Sequence, residues 1–364
     1  MEKHLGYRRI QRTGRGSYII SLPKNWVQRT GLEKGSEVAF RVQEDSSMIL
    51  IPRRITERNK EVDESELREF WVYVDEKDEF KSVRRKIISL YAVSADVIHI
   101  RFTNDKIAAS YKRAISNLVK NILLGSEITD ETNNEITVKI LIRHHEFPVE
   151  KAIRRMSILA LSAIRDAIVA LKVADQGSTS SVIDAHDDVD RLNLYVIRQL
   201  KYGLEQNLFR ELGFKTPKES LGYRIVVNDI KSIADNAVNI ANSVTNFKKL
   251  VDDEMLFLRE TIDEELYSQI LEFNSAAHQL FDDSLKAMFK RDYEHADGTI
   301  SRLEAFATRG NDLIAVMSGK RLDPNVSSIF SLIIDNSRRI IEYSRNIAEV
   351  TLNRTIEEVS SQRF

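Results

Sequence analysis

With 364 residues, 30% of them charged and 42% apolar, the chain is long enough for two or three soluble domains. It offers no run of about eighteen apolar residues to span a bilayer, no apolar N-terminal stretch of a secretion signal, and no cysteine for a disulfide or thiolate metal site, so a cytoplasmic protein is expected. A net charge of −1 conceals an asymmetry: residues 1 to 60 carry thirteen Lys and Arg against six Asp and Glu, which suits a polyanionic partner, nucleic acid before anionic lipid.

Residues 7 to 22 read as a strand, a glycine-bearing turn at Gly14 to Gly16, and a second strand. Pro23 stops that strand, and Lys24 to Thr30 makes one or two helical turns closed by Gly31. Leu32 to Val42 gives a turn and a third strand, and Met48 to Pro52 a fourth, so the unit is ββαββ. Arg8, Arg9, Arg12, Arg15 and Lys24 crowd around its first turn. Four short strands in about fifty residues leave edges that a second copy could close.

The arginine-rich first strand, the Gly turn, Leu22-Pro23-Lys24, the short helix, Gly31-Leu32 with Gly35 and Val38, and the closing strand resemble the AbrB/SpoVT family over residues 5 to 54. The resemblance implies that residues 1–54 form a small all-β swapped-hairpin barrel as a homodimer. It also implies DNA-binding roles for Arg8, Arg9, Arg12, Arg15 and, less closely matched, Lys24, some on phosphates and one or two on guanine edges. Antitoxins of toxin pairs carry similar modules but lack some three hundred further residues. Gly14-Arg15-Gly16-Ser17 joins two strands and opens no helix, so it does not read as a nucleotide loop.

A polar stretch from Arg58 to Glu64 reads as a linker, and an α/β (α+β) middle domain is expected over residues 66–146. Its elements are a strand at Phe70–Val74, a helix at Phe80–Tyr91, a strand at Val97–Phe102 and a helix at Asp105–Leu124 with Ile107, Tyr111, Ile115, Leu118 and Ile122 on one face. A short strand near Ile128 pairs with Glu135–Ile142, giving a sheet with two helices on one side. The stretch around Leu124-Gly125-Ser126 resembles the segment between reader and helices in archaeal AbrB–PhoU fusions. His144, His145 and Glu146 are the densest metal-like group, but neighbours on an extended chain face opposite sides, which favours a solvated strand end.

From Pro148 onward the period is helical, and an all-α domain is expected over 149–362. A helix through Met156, Leu159, Ala163 and Leu171 is apolar nearly all round; Gln176 to Ser180 reads as the loop that ends it. Further helices follow at about 181–211, 219–248, 255–290, 292–318 and 325–360. An internal repeat links them. Shifted by 107 residues, Ile233, Asn239, Ile240 and Ala241 fall on Ile340, Asn346, Ile347 and Ala348, and Pro217 and Pro324 each precede the repeated helix. Arg191-Leu192 and Arg302-Leu303 read as a second pair. Two three-helix halves side by side are predicted.

The twice-written Asn-Ile-Ala signature resembles PhoU, over roughly 150 to 360. That resemblance implies a pair of three-helix bundles, negative regulation of phosphate acquisition through a transporter or signalling partner, and candidate divalent or ferric metal clusters on acid pairs four residues apart. Here Lys231 and Arg338 stand four residues before Asp235 and Glu342, so one acid of each pair is a cation. The metal candidates are Asp184, Asp187, Asp188, Asp190 and Asp235, the first four also reading as a helix start favoured by its dipole. No nucleophile, base and orienting group converge, and His4, His99, His186, His278 and His295 read as isolated, so the chain is not expected to be an enzyme. The combined reading is a dimeric DNA-binding regulator of phosphate uptake. The alternative is an interaction protein that docks on a phosphate transporter or signalling partner without reading DNA sequence.

Overall fold

The structure, a computed structural model, describes residues 7–14, 16–42, 47–52, 67–142, 146–173, 176–205, 208–252, 264–320 and 322–360. The chain divides into two compact units, Met1–Leu67 and Arg68–Phe364.

In the first unit β1 (Gln11–Thr13) and β2 (Ser17–Ile19) pair antiparallel, with Arg12 opposite Tyr18. Gly14 makes the turn at φ +58, a conformation that a Cβ disfavours. Helix α1 (Lys24–Arg29) starts from Pro23 and ends where Gly31 turns left-handed. β3 (Val38–Val42) and β4 (Met48–Pro52) form a second antiparallel pair. The two hairpins are separate two-stranded sheets among the described residues. Of the described residues here only Pro52 is buried; Tyr18, Ile19, Phe40, Val42 and Met48 stay exposed, Tyr18 at 71% and Phe40 at 65%.

The second unit begins with an α/β layer: β5 (Glu69–Val74), α2 (Phe80–Ala92), β6 (Val97–Phe102), α3 (Asp105–Asn121), β7 (Ser126–Glu131) and β8 (Glu135–Ile140). The sheet order is β5-β6-β8-β7, parallel between β5 and β6 and antiparallel elsewhere. Strand alternation turns Val72, Val74, Ile98, Ile100, Ile136 and Val138 toward Val83, Ile87, Ile115 and Leu118 of the helices. Gly125 links α3 to β7 at φ +71, and a Cβ there would strike Ile142, so only glycine fits.

Among the described residues six long helices follow: α4 (Val149–Val173), α5 (Gln176–Glu205), α6 (Glu219–Asp252), α7 (Glu264–Lys290), α8 (Tyr293–Ser318) and α9 (Pro324–Val359). One continuous core runs through all six, from Val149 to Ile347. Two sequence readings are corrected. Gln176 to Ser180 are the first turns of α5 and not a loop; the Thr179 hydroxyl meets that of Thr245 on α6 at 3.1 Å. The same helix stops at Glu205, short of 211, and turns follow through Gly213, which has φ +91.

The repeat appears as two three-helix halves, α4–α6 and α7–α9, whose long last helices pack on each other. Ile233, Ile240, Ala241, Ile340, Ile347 and Ala348 are all fully buried. The polar members pair reciprocally: Asn239 donates to Asn336 at 3.2 Å, and Asn346 donates to Asp229, which is the position matching Asn336.

The α/β layer is seated on the first half through Arg198 of α5. Its guanidinium, 6% exposed, donates to the carbonyls of Tyr91 (3.0 Å) and Ala95 (2.6 Å), lies 3.4 Å from Asp96, and packs over the Tyr91 ring. Ser94, held at φ +68, donates its hydroxyl back to the Arg198 carbonyl. Arg68, where the unit begins, reaches Glu205 at the end of the same helix.

Candidate functional site

The N-terminal candidates sit on the first hairpin and the start of α1. Arg8, Arg9, Arg12 and Lys24 are exposed, and among the described residues no carboxylate is paired with them. Residues 7 to 32 contain no Asp or Glu at all, while Arg8, Arg9, Arg12, Arg15, Lys24 and Arg29 lie within them. Arg15, at the tip of the turn, lies outside the described residues. Long guanidinium arms free of intramolecular acids are suited to phosphate oxygens, where release of counterions supplies the driving force.

In the helical domain two of the five acid candidates come together. Asp190 of α5 and Asp235 of α6 meet around His186, whose Nε2 is 2.7 Å from Asp235 and 3.9 Å from Asp190. These three side chains each bring one ligand-type atom within 4.8 Å of the others. Asp187 stands behind, 3.3 Å from His186 Nδ1, whereas Asp184 and Asp188 are exposed and not part of the group. The helix-start reading of this acidic run is corrected, because α5 begins at Gln176 and the dipole's effect fades after the first turn. His186 is likewise not isolated. Its spacing of four from Asp190, one helical face, is the signal in the sequence that points to it.

Lys231 fills the middle of the group. Its ammonium is 3.0 Å from Asp190 and 3.0 Å from Asp235. The hydrogen bond to Asp235 holds the His186 imidazole above its ordinary value, against the opposing effect of burial. Burial pushes the Asp235 carboxyl up, but the hydrogen bonds from His186 and Lys231 outweigh it and the net shift is downward. Burial also works against the Lys231 charge, yet its bonds to Asp235 and Asp190 leave it raised. The Lys231 ammonium thus sits between the two carboxylates, with the His186 imidazole beside them. A metal ion does not fit this arrangement as it stands, since an ammonium already lies at bonding distance from both carboxylates.

The second half offers no matching group among the described residues. The register that lays Arg191 on Arg302 lays Asp190 on Ser301, and Arg338 pairs with Asp335 at 3.3 Å, beside Glu342 on the same helix. His144 and His145 lie outside the described residues.

Residues 11–57 match the model of MazE, described as antidote-toxin recognition by a bacterial antitoxin, and residues 153–244 match the PhoU domain, spanning α4, α5 and most of α6. One chain thus carries a match to a MazE-type module in residues 11–57 and a match to the PhoU domain in its helical part. No curated protein matches it. Solved structures similar to it include PhoU from Pseudomonas aeruginosa, 17% identical, covering 57% of this chain and 96% of that one with a TM-score of 0.47. Another is the phosphate transport system regulatory protein PhoU from Streptococcus pneumoniae, 15% identical, covering 59% and 96% with a TM-score of 0.46. Among the described residues no helix is long and apolar enough to cross a membrane.

Proposed function

We propose that the chain is a transcription regulator that binds DNA as a homodimer through its N-terminal module and changes its operator affinity with phosphate supply through its helical domain. The observation that carries this reading is the stretch from residue 7 to 32: six cations, no acid, on the first hairpin and helix of a MazE/AbrB-like module fused to a PhoU domain. Dimerisation is supported by the apolar side chains Tyr18, Ile19, Phe40, Val42 and Met48, which a single copy leaves in water. Burying them against a second copy stabilises the pair by about 25 cal/mol for each Å² removed from solvent. The matched model's description names toxin recognition; a long helical domain with a PhoU match favours a regulator that carries its own sensor.

The mechanism is a population shift. A signal that binds one arrangement of the helical domain more tightly than another changes which arrangement prevails, and with it the presentation of two basic hairpins to DNA. Genome-wide occupancy in phosphate-replete and phosphate-starved cells tests the whole reading: focal peaks that move with phosphate are expected, and their absence leaves the transporter-docking alternative. Binding of promoter fragments against salt tests the residues. Replacing Arg8, Arg9, Arg12 and Arg15 by alanine weakens binding and lowers the salt slope by about one for each phosphate no longer neutralised. An unchanged slope would remove these arginines from the interface.

A further inference from the structure

We propose that Lys231 is a tethered cation that clamps α5 to α6 in the place of a metal ion, and that beneath it lies a complete but blocked site for a divalent transition metal.

The donor set is the first part of the argument. His186 Nε2 and one oxygen each of Asp190 and Asp235 converge within 4.8 Å, a nitrogen and two hard oxygens from two helices. Behind them Asp187 lies 3.3 Å from His186 Nδ1, the kind of carboxylate that fixes the tautomer of a metal-bound imidazole. The side chains are partly exposed, so an ion could enter from solvent.

The second part is what occupies the centre. The Lys231 ammonium lies 3.0 Å from both carboxylates. Asp190 Oδ1 is buried and makes no well-aligned hydrogen bond, so the ammonium is what balances it. A lysine one turn before Asp235 on the same helix is always present at high local concentration, whereas a free ion must reach the site from dilute solution. A metal can bind only if the amine leaves, because a second positive charge at that distance from the ion is strongly repelled. The clamp between α5 and α6 is therefore permanent and indifferent to metal supply. The second half offers no such group among the described residues, and there Arg338 lies against Gly310.

Removing the amine exposes the site. Zn2+ uptake by the full-length chain is measured by equilibrium dialysis for four proteins: the parent, Asp235→Ala, Lys231→Met, and Lys231→Met with Asp235→Ala. The methionine keeps the length and apolar stem of lysine, and Lys231→Gln is carried alongside in case the thioether packs badly. Parent and Asp235→Ala are expected to take up equal Zn2+, which measures any background from other histidines. Lys231→Met is expected to gain about one further ion per chain, lost again when Asp235 is also replaced, with its thermal midpoint rising on Zn2+ addition. The proposal fails if the parent exceeds Asp235→Ala by one ion, since the site is then open. It fails equally if well-folded Lys231→Met and Lys231→Gln gain none.

Discussion

The two halves of the helical domain share an apolar skeleton and differ at their polar positions. Ile233, Ile240 and Ala241 in α6 and Ile340, Ile347 and Ala348 in α9 are buried alike, because the last helix of each half packs on the other and the interface tolerates little change in volume. The polar positions follow what each half touches. Arg198 in α5 falls, in the register of Arg191 and Arg302, on Arg309 in α8. The first is sealed under the α/β layer; the second lies on the surface with its side chain 44% exposed, paired with Glu272 at 3.1 Å. The two arginines lie on corresponding helices of the two halves, and the α/β layer gives only Arg198 a buried set of partners.

That contrast predicts the largest effect. Arg198→Ala leaves the carbonyls of Tyr91 and Ala95 without their charged donor and opens a gap over the Tyr91 ring, so it is expected to destabilise the protein by about 3 kcal/mol. Arg309→Ala is expected to cost under about 1 kcal/mol, as exposed ion pairs do. Denaturant midpoints of the two variants measure the difference, and equal losses would show that the α/β layer is not seated through Arg198.

The second contrast lies where α6 meets α9. Asp229 and Asn336 are matching positions, each joined to an asparagine of the other half, but burial pushes the Asp229 carboxyl up to about 6 and leaves its Oδ2 without a partner. A raised carboxyl pKa means that the folded state holds the proton more tightly than the unfolded one. Its stabilising effect is complete below about 4 and is lost as pH rises through about 6. Asp229→Asn makes the two pairs alike. The variant is expected to gain roughly 1–3 kcal/mol over the parent at pH 8 and little at pH 4. Denaturant midpoints across that range measure it, and a gain independent of pH would exclude titration of Asp229 as the cause.

The legibility of these features follows from how local their physics is. The N-terminal module is readable because Gly14, Pro23 and Gly31 act on their own backbone, and each sits where the chain turns. The long helices are readable from period, and the repeat from Asn239-Ile240-Ala241 recurring at Asn346-Ile347-Ala348. The start of α5 misleads because the Gly177-Ser178-Thr179-Ser180 composition favours turns, whereas the Thr179 hydroxyl finds its partner in Thr245 of α6, 66 positions away. Lys231 visibly breaks an acid pair, but its seat between Asp190 and Asp235 depends on how α5 is rotated against α6, and sequence spacing holds no such angle. His186 is within reach of the four-residue rule; its partner Asp235, 49 positions away, is not. The task of Arg198 cannot be read at all, since nothing in its sequence neighbourhood separates it from Arg309.

The smallest expected effect is the one that sharpens the comparison most. Arg338 occupies the place of Lys231, yet its stem lies over Gly310, where a Cβ would meet Arg338 Cγ at 2.7 Å, and its guanidinium bonds Asp335 within its own helix. It fills a gap between α8 and α9 and blocks no acid cluster. Arg338→Met keeps most of that stem, so a stability change under about 0.5 kcal/mol is expected. Zn2+ uptake should not change, in contrast to Lys231→Met, because Gly310, which faces Arg338, provides no carboxylate. If Arg338→Met also gained an ion, the cation four residues before the acid would be a general block on both halves, and the special geometry assigned to Lys231 would lose its basis.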